Sequence, residues 1–552
     1  MTVRFRGADA LVKTLQRAGT RVVFTLSGNH IMPVYDALIG SGIRLVHTRH
    51  EAAAVHMADA WARLTGEVGV ALVTGGPGHA NAVSALYTAR MAEAPVLLLS
   101  GHAPHSQLGR GAFQEMRQAE MAAPVCKAAW TCASAADVAS DLARAFALAR
   151  SGRPGPVHLS LPSDVLELEA PAEIPSADRW LPTPMPLPAT QAGAMLAALQ
   201  AARRPLILAG PCSLTRGGRQ RLAALEAACG VPVVGMESPR GVADPALGAF
   251  AEMLAQSDCV LLLGKPLDFT LKFGQAPALR ADASWLQVDA DEDEIARTRR
   301  AVGDRLALAA IADTPSAIAA LMAALTASEM PQAAAGAWFD EVRAALAYRP
   351  AAWDTARSTL PGRLHPVQML RPLQALLDSH PDAVFVCDGG EIGQWAQACL
   401  KAPQRVINGV AGSIGSALPF AVAAQLACPG APVVAVLGDG TFGFHAAEFD
   451  TAARCSAPFV AVVGNDARWN AEFQIQLKDY GAERLIGCEL LPTRYDQVAT
   501  AFGGHGEQVT EAEALLPAVQ RARASGRPAC INVLIEGVPA PQVRRAAAGA
   551  PA

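Results

Sequence analysis

At 552 residues the chain exceeds what a single hydrophobic core supports, so roughly three domains of ordinary size are expected. Charged residues make up 17% and the net charge is −4, which removes the electrostatic ground for a nucleic-acid or membrane-surface partner and points to a small ligand. The eleven cysteines lack a C-x-x-C pair, the N-terminus lacks a signal-peptide core, and no run of about 18 uncharged apolar residues follows, so the expected setting is the reducing cytoplasm.

In chain order, short β-branched runs bounded by Gly, Pro or Asp alternate with Ala- and Leu-rich helical segments, the pattern of parallel sheets covered by helices. The first group holds RVVFTL (21–26), RLVHT (44–48), VGVALVT (68–74), PVLLLSG (95–101) and PVHLSLP (156–162). PLILAG, VPVVGM, CVLLLG and WLQVDAD form a second group between Pro205 and Asp291. The third holds AVFVCDGG (383–390), RVINGV (405–410), VVAVLGDG (433–440), FVAVVGND (459–466) and CINVLI (530–535). The expected fold is α/β, with three doubly wound parallel-sheet domains over residues 1–170, 190–345 and 365–538. Pro171 to Pro188 and Arg349 to Pro366 read as linkers, and the chain from Pro539 onward lies outside the third core. Three units of similar size raise the question of a duplication at domain scale.

Two strands of the third group end in Gly438-Asp439-Gly440 and Gly464-Asn465-Asp466, which brings acidic residues to the carboxyl edge where open α/β sheets bind ligands. Two carboxylates and a nearby backbone carbonyl make an oxygen donor set suited to magnesium or calcium carrying a diphosphate. The flanking glycines allow close approach to phosphate, and a helix expected to begin near His445 would aim amide N–H groups at negative charge. Gly-Asp-Gly by itself is more often an ordinary turn; the second motif at this spacing adds the weight. Upstream, RLVHT runs into Arg49-His50-Glu51 and an Ala-rich helix, a position where the helix dipole favours a carboxylate in any case.

Gly-Asp-Gly followed after a helix and a strand by Asn-Asp resembles the thiamine diphosphate fingerprint, with Asp466 in place of a second Asn. The Arg49 to Ala54 segment resembles the one whose glutamate contacts the cofactor's aminopyrimidine ring, and Gly75-Gly76-Pro77-Gly78-His79-Ala80-Asn81 resembles the accompanying Gly-Pro-Gly loop. Gly111 to Glu115 is similar to a segment with a pocket glutamine, and Asp388-Gly389-Gly390 and Gly412-Ser413-Ile414-Gly415 to the loops that hold the diphosphate. Across nearly the whole chain these motifs resemble the acetohydroxyacid synthase-like superfamily. That resemblance implies pyrimidine-binding, central and diphosphate-binding domains, and Mg2+ (or Ca2+ or Mn2+) on Asp439, Asp466 and the carbonyl of Arg468. It implies cofactor contacts at Gly28, Pro77, Asn81, Asp388, Gly389, Gly412, Ile414, Gly438, Gly440 and Thr441, with Ile414 as the wedge that bends the cofactor. Glu51 would drive removal of the thiazolium proton, His30 would transfer protons, and Gln114 would donate a hydrogen bond to substrate. Because two chains hold the two halves of the cofactor in such enzymes, a homodimer or homotetramer is implied.

The implied activity is that of a carboligase or lyase, or a 2-keto acid decarboxylase, acting through an acyl-anion (enamine) species in the manner of acetolactate synthase. Alternatives are benzaldehyde lyase-like or 2-hydroxyacyl-CoA lyase-like cleavage. Asn29-His30 is similar to benzaldehyde lyase, Leu267 to Leu271 to 2-hydroxyacyl-CoA and oxalyl-CoA enzymes, and Gly-Asn-Asp-Ala-x-Trp to acetolactate synthase-like proteins. Asn470 to Gln476 lacks the tryptophan and methionine of a biosynthetic acetohydroxyacid synthase channel; small Ala471 leaves room for a bulkier acyl group, and Glu472 would deter or position an anion. His30, His79 and His445 are expected on loops facing the cofactor. The central domain would hold a flavin, a CoA-type nucleotide or nothing, and no obligatory flavin is expected. A nicotinamide-dependent oxidoreductase is a remote alternative, because Gly409-x-x-Gly412-x-x-Gly415 has the wrong spacing for a dinucleotide loop.

Overall fold

The computed structural model describes residues 4–171, 173–327 and 336–545. The N-terminal part carries β1 (Arg4–Arg6), β2 (Val22–Thr25), β3 (Arg44–His47), β4 (Gly69–Val73), β5 (Val96–His102), β6 (Ala128–Thr131), β7 (Val157–Pro162) and β8 (Glu169–Pro171). Six of these form a parallel sheet in the order β3-β2-β4-β5-β7-β6, while β1 and β8 pair antiparallel and tie the two ends of this unit together. The central unit has β9 (Pro205–Ala209), β10 (Val233–Gly235), β11 (Cys259–Leu263), β12 (Ser284–Asp289) and β13 (Leu306–Ile311), in the order β10-β9-β11-β12-β13. The third has β14 (Val384–Cys387), β15 (Gln404–Ile407), β16 (Val433–Gly438), β17 (Val460–Asn465), β18 (His505–Val509) and β19 (Ala529–Leu534), in the order β15-β14-β16-β17-β19-β18. Counted within each unit, the first and third sheets share one strand order, a topological likeness that fits a domain-scale duplication.

Every β-branched run read from the sequence is a strand. Besides the short β1–β8 pair, the reading lacks β6, β13 and β18, each on an edge of its sheet. Edge strands have one flank free of a neighbour and stay partly exposed, so sequences such as AAWT and HGEQV carry no continuous apolar signal. Inner strands such as β5, β11 and β17 are buried along their length. The stretch read as the first linker is pinned by Trp180, which packs in the N-terminal core. The eleven cysteines are all free thiols, and among the described residues no helix is long and apolar enough to cross a membrane.

The first and third units share a core. The helix Glu51–Thr65 packs against the helix Ala417–Ala427, both rich in alanine, and a single apolar cluster runs from Phe24 through both helices to Phe459. Small side chains let the two axes approach closely and leave Glu51 to Ala62 buried on every face. Arg63, paired with Asp59, reaches across to the carbonyl of Ile407 at 2.8 Å. The central unit is tied to the first by a buried ion network in which Arg153 bridges Glu93 and Asp289, while Glu93 also accepts from the Cys212 backbone N–H at 2.9 Å.

Arg153→Ala should destabilise the protein by about 3–5 kcal/mol, since it leaves two buried carboxylates without their cation. Chemical denaturation followed by tryptophan fluorescence measures this, and a change within about 0.5 kcal/mol would show that the network carries no weight.

Candidate active site

At the carboxyl edge of the third sheet, the ends of β16 and β17 and the loops after β14 and β15 enclose a cleft of about 230 Å³. Gly389, Gly412, Ile414, Gly438, Asp439, Gly440, Thr441, Asp466 and Arg468 all line it. The helix at this edge begins at Asp439 and ends at His445, rather than beginning near His445, so its first amides belong to the Gly-Asp-Gly motif itself. Its close seat depends on Gly440, where a Cβ would lie 2.6 Å from the Trp469 ring. Asp388 sits behind the cleft, fully buried: its carboxylate accepts from the backbone N–H groups of Gly389 (2.8 Å), Gly415 (3.0 Å) and Ala417 (3.1 Å), so one side chain joins both glycine loops. Burial pushes its pKa up to about 6 against those hydrogen bonds. Asn465 is spent on structure too, donating to Thr493 O and Asn532 and accepting from the Ala467 N–H, which leaves Asp466 to face the cleft.

Asp439 and Asp466 are both buried, and burial pushes both acids upward; for Asp466 the Asp439 charge adds to the effect. The Asp439 Oδ2 atom has no hydrogen-bond partner. A hard dication between the two carboxylates would satisfy this orphan oxygen and cancel the repulsion, and the set of two carboxylates and a carbonyl is all oxygen, as Mg2+ or Ca2+ requires. Among the described residues no cluster of three His, Cys, Asp or Glu side chains offers a competing metal site. The residues fit a metal-carried diphosphate.

A second group gathers at the carboxyl edge of the first sheet. Glu51, 9% exposed at its helix start, accepts a hydrogen bond from Asn81 Nδ2 at 3.0 Å. Pro77 opens the helix that carries Asn81. His30 Nδ1 lies 3.1 Å from Thr74 Oγ1, and burial followed by the nearby His102 pushes its pKa down, so the ring is neutral. Gly28 is extended, and a Cβ there would lie 2.4 Å from the Thr74 side chain. Gln114 holds a left-handed φ of 57° with its backbone against Gly76. Thr74 is thus the hub of this group, and Gln118 its support: Gln118 accepts from Gly76 N–H at 2.8 Å and donates to Gly101 O at 3.1 Å. The sequence reading names neither, since an isolated Thr or Gln carries no motif. It also omits Arg240 and Asn408, which line the cleft from the central unit and from the end of β15.

None of Gly28, His30, Glu51, Pro77, Asn81 or Gln114 lines the cleft of the third sheet, so a single chain presents two half-sites. Two histidines expected to face the cofactor turn elsewhere. His79 is fully buried, 2.9 Å from Ser100 Oγ and packed on His158, with its pKa pushed down to about 4 by burial. His445 donates from Nδ1 to Gly415 O at 2.7 Å, which fixes the loop that carries Ile414, and burial holds it too at about 4. Beyond β19, the carbonyls of Gly537 and Val538 accept from Gln474 and Asn470, that of Pro539 from Trp395, and Arg545 pairs with Glu252 of the central unit. The segment from Pro539 to Arg545 therefore lies outside the third sheet yet is anchored along the cleft's flank, and the rest of the tail lies outside the described residues.

Asp466→Asn should weaken divalent-cation binding by more than about tenfold, because it removes a charged oxygen ligand. Manganese titration followed by electron paramagnetic resonance measures it, and unaltered affinity would argue against metal at this pair.

Three family profiles match in order: Thiamine pyrophosphate enzyme, N-terminal TPP binding domain, over residues 5–121; central domain, over 193–321; and C-terminal TPP binding domain, over 388–533. An acetolactate synthase large subunit of Mycobacterium tuberculosis is 34% identical over 550 residues, covering 95% of each chain. A 2-hydroxyacyl-CoA lyase 2 of Homo sapiens is 31% identical over 582 residues, covering 96% of this chain and 90% of its own. With all three domains matched in order and such relatives covered nearly end to end, the chain belongs to the thiamine pyrophosphate enzyme family and is an enzyme that forms or cleaves carbon–carbon bonds.

Proposed function

We propose that this enzyme is an acetolactate synthase-like carboligase or decarboxylase that takes small 2-keto acids and aldehydes, works as a homodimer or a pair of dimers, and resides in the reducing cytoplasm. The observation that carries the reading is the division of labour between the half-sites: an oriented, buried carboxyl at Glu51 and a carboxylate pair at Asp439 and Asp466, on different sheets. Thiamine diphosphate, when bound, supplies an acidic thiazolium carbon that adds to a carbonyl and accommodates the electron pair released there. Asp439, Asp466 and the Arg468 carbonyl would hold its metal, the glycine loops its diphosphate, and Ile414 its bend. Glu51, kept in register by Asn81, would exchange a proton with the pyrimidine ring nitrogen. Neutral His30, tied through Nδ1 to Thr74, would take or give a proton on substrate oxygen, and Gln114 would donate to the substrate carbonyl.

The helix Pro77–Met91 leaves Pro77, Asn81, Ser84 and Tyr87 exposed along one face beside Glu51. A second copy that laid its cleft on this face would complete the site, which supports the dimer reading. A lyase acting on larger 2-hydroxyacyl substrates is the second reading. It is supported by Ala471, a small residue beside Trp469 in the cleft wall, and by the relatives that bear that name.

Glu51→Gln should lower kcat by about 10²–10⁴-fold with cofactor affinity retained, read as a matching loss of hydrogen–deuterium exchange at the thiazolium carbon. Unchanged exchange would remove Glu51 from the chemistry. Co-expressed Glu51→Gln and Asp439→Asn chains should regain roughly a quarter of wild-type activity, because half of randomly formed dimers are mixed and each has one intact site; no recovery would place both halves in one chain. Incubation with pyruvate, with and without benzaldehyde, followed by mass-resolved product analysis, tests the substrate class. Acetolactate supports the first reading, whereas no acetolactate, together with cleavage of a 2-hydroxyacyl-CoA in a parallel incubation, supports the second.

A further inference from the structure

Between the central and third units lies a second cavity of about 600 Å³, away from both half-sites. Its wall carries Arg219, Arg343, Arg349, Lys401 and Arg405 against one lining carboxylate, Glu226. Arg343 pairs with Glu226, and Arg349 is occupied by the backbone carbonyls of Ala246, Leu346, Tyr348 and Ala398. Arg219 and Arg405 differ. Each gives a single hydrogen bond to the carboxylate of Glu237 behind the wall, at 3.0 and 2.5 Å. Among the described residues no hydrogen bond engages the terminal nitrogens of Arg405 or the Lys401 amino group. Gln397, 1% exposed and also in the wall, has a carboxamide whose nitrogen faces the Cys387 sulfur and whose oxygen has no hydrogen-bond partner.

A buried carboxamide oxygen with no partner is a costly arrangement that calls for a donor from outside the chain. Two guanidinium groups held at fixed separation by one shared carboxylate are prepared to receive oxyanion oxygens without paying the usual entropy of ordering. Leu214, Leu222, Leu247 and Leu400 supply an apolar wall beside them. We infer that this cavity is a second ligand site, taking a small phosphorylated or carboxylated molecule whose oxyanion head meets Arg219, Lys401 and Arg405 while its body lies on the leucines and Gln397. Glu237 stays ionised in this role: burial would push it up, but the charges of Arg405 and Arg219 hold it down at about 2.

The site is wired to the cofactor cleft by two elements. Gln397 lies near the far end of the helix Gly390–Cys399 and Leu400 just past it, while Gly390, Glu391, Ile392 and Gln394 of the same helix line the cleft about 5–10 Å back along its axis. Arg405 lies on β15, which leads directly into Asn408 in the cleft. A ligand that prefers one placement of this helix and strand will shift cofactor affinity, and the cofactor will shift the ligand's affinity by the same factor.

Calorimetric titration of the holoprotein, saturated with thiamine diphosphate and magnesium so that the cleft cannot take phosphate, tests this with inorganic phosphate, ADP and citrate as probes. At least one probe should bind saturably, and the double variant Arg219→Gln/Lys401→Gln should bind it at least about tenfold more weakly with its thermal midpoint kept. Gln397→Leu should weaken the same probe. ADP favoured over phosphate would assign a phosphorylated ligand that uses the apolar wall, and citrate favoured over both a carboxylate. Absence of saturable binding by every probe, or equal binding by the double variant, overturns the site.

Discussion

Asp439 and Asp466 stand side by side on the ends of adjacent strands with little water around them, and two like charges so placed push each other and their own ionisation away. What surrounds the cleft keeps them there. Parallel pairing of β16 with β17 sets their spacing, Asn465 locks the turn that aims Asp466, and Asp388 gathers the backbone amides of two loops so that both glycine segments face the same volume. The repulsion in the pair would favour a dication: an oxygen-rich donor set already desolvated and already ordered gains most from a hard charge.

Much of this was legible in the sequence because it depends on strand ends. Interior strands announce themselves as apolar runs, and a carboxylate directly after such a run has to emerge at the sheet's carboxyl edge; Asp439 and Asp466 follow from that alone. Edge strands β6, β13 and β18 were not legible: HGEQV carries no apolar run, and AAWT and LALAAI are alanine-rich with a β-branched residue only at the last position, so they do not stand out from helical sequence. Nor were the supports. Thr74 and Gln118 act through contacts between loops far apart in sequence, and His79, adjacent to a glycine loop, turns inward because its position in the helix starting at Pro77 sets it over β5 and β7 rather than over the edge. Helix phase, more than nearness in sequence to a motif, decides which side chains reach a site.

The first and third sheets use one strand order for different work. In one, the carboxyl edge presents an acid, a histidine and an amide on a surface that remains partly open; in the other it presents glycine loops and paired carboxylates around an enclosed volume. The two are joined inside a chain through their backs, by the alanine-rich helices, rather than through their carboxyl edges. The central unit contributes Pro239 and Arg240 to the cleft and holds the first unit through Arg153, so it serves as a spacer that keeps both edges accessible.

The alanine contact has a consequence for how such a sequence can drift. Glu51 stands on the first turn of a helix that has no free face, against another alanine-rich helix whose Phe420 meets His56 and Arg63. Enlarging almost any alanine on either helix must move one axis, and with it the acid, whereas trimming a large residue elsewhere in the core leaves a void that neighbours can partly fill. Mutational tolerance is therefore lopsided: the seam admits few replacements in one direction, and its composition will persist in distant descendants long after the exposed edge strands have become unrecognisable.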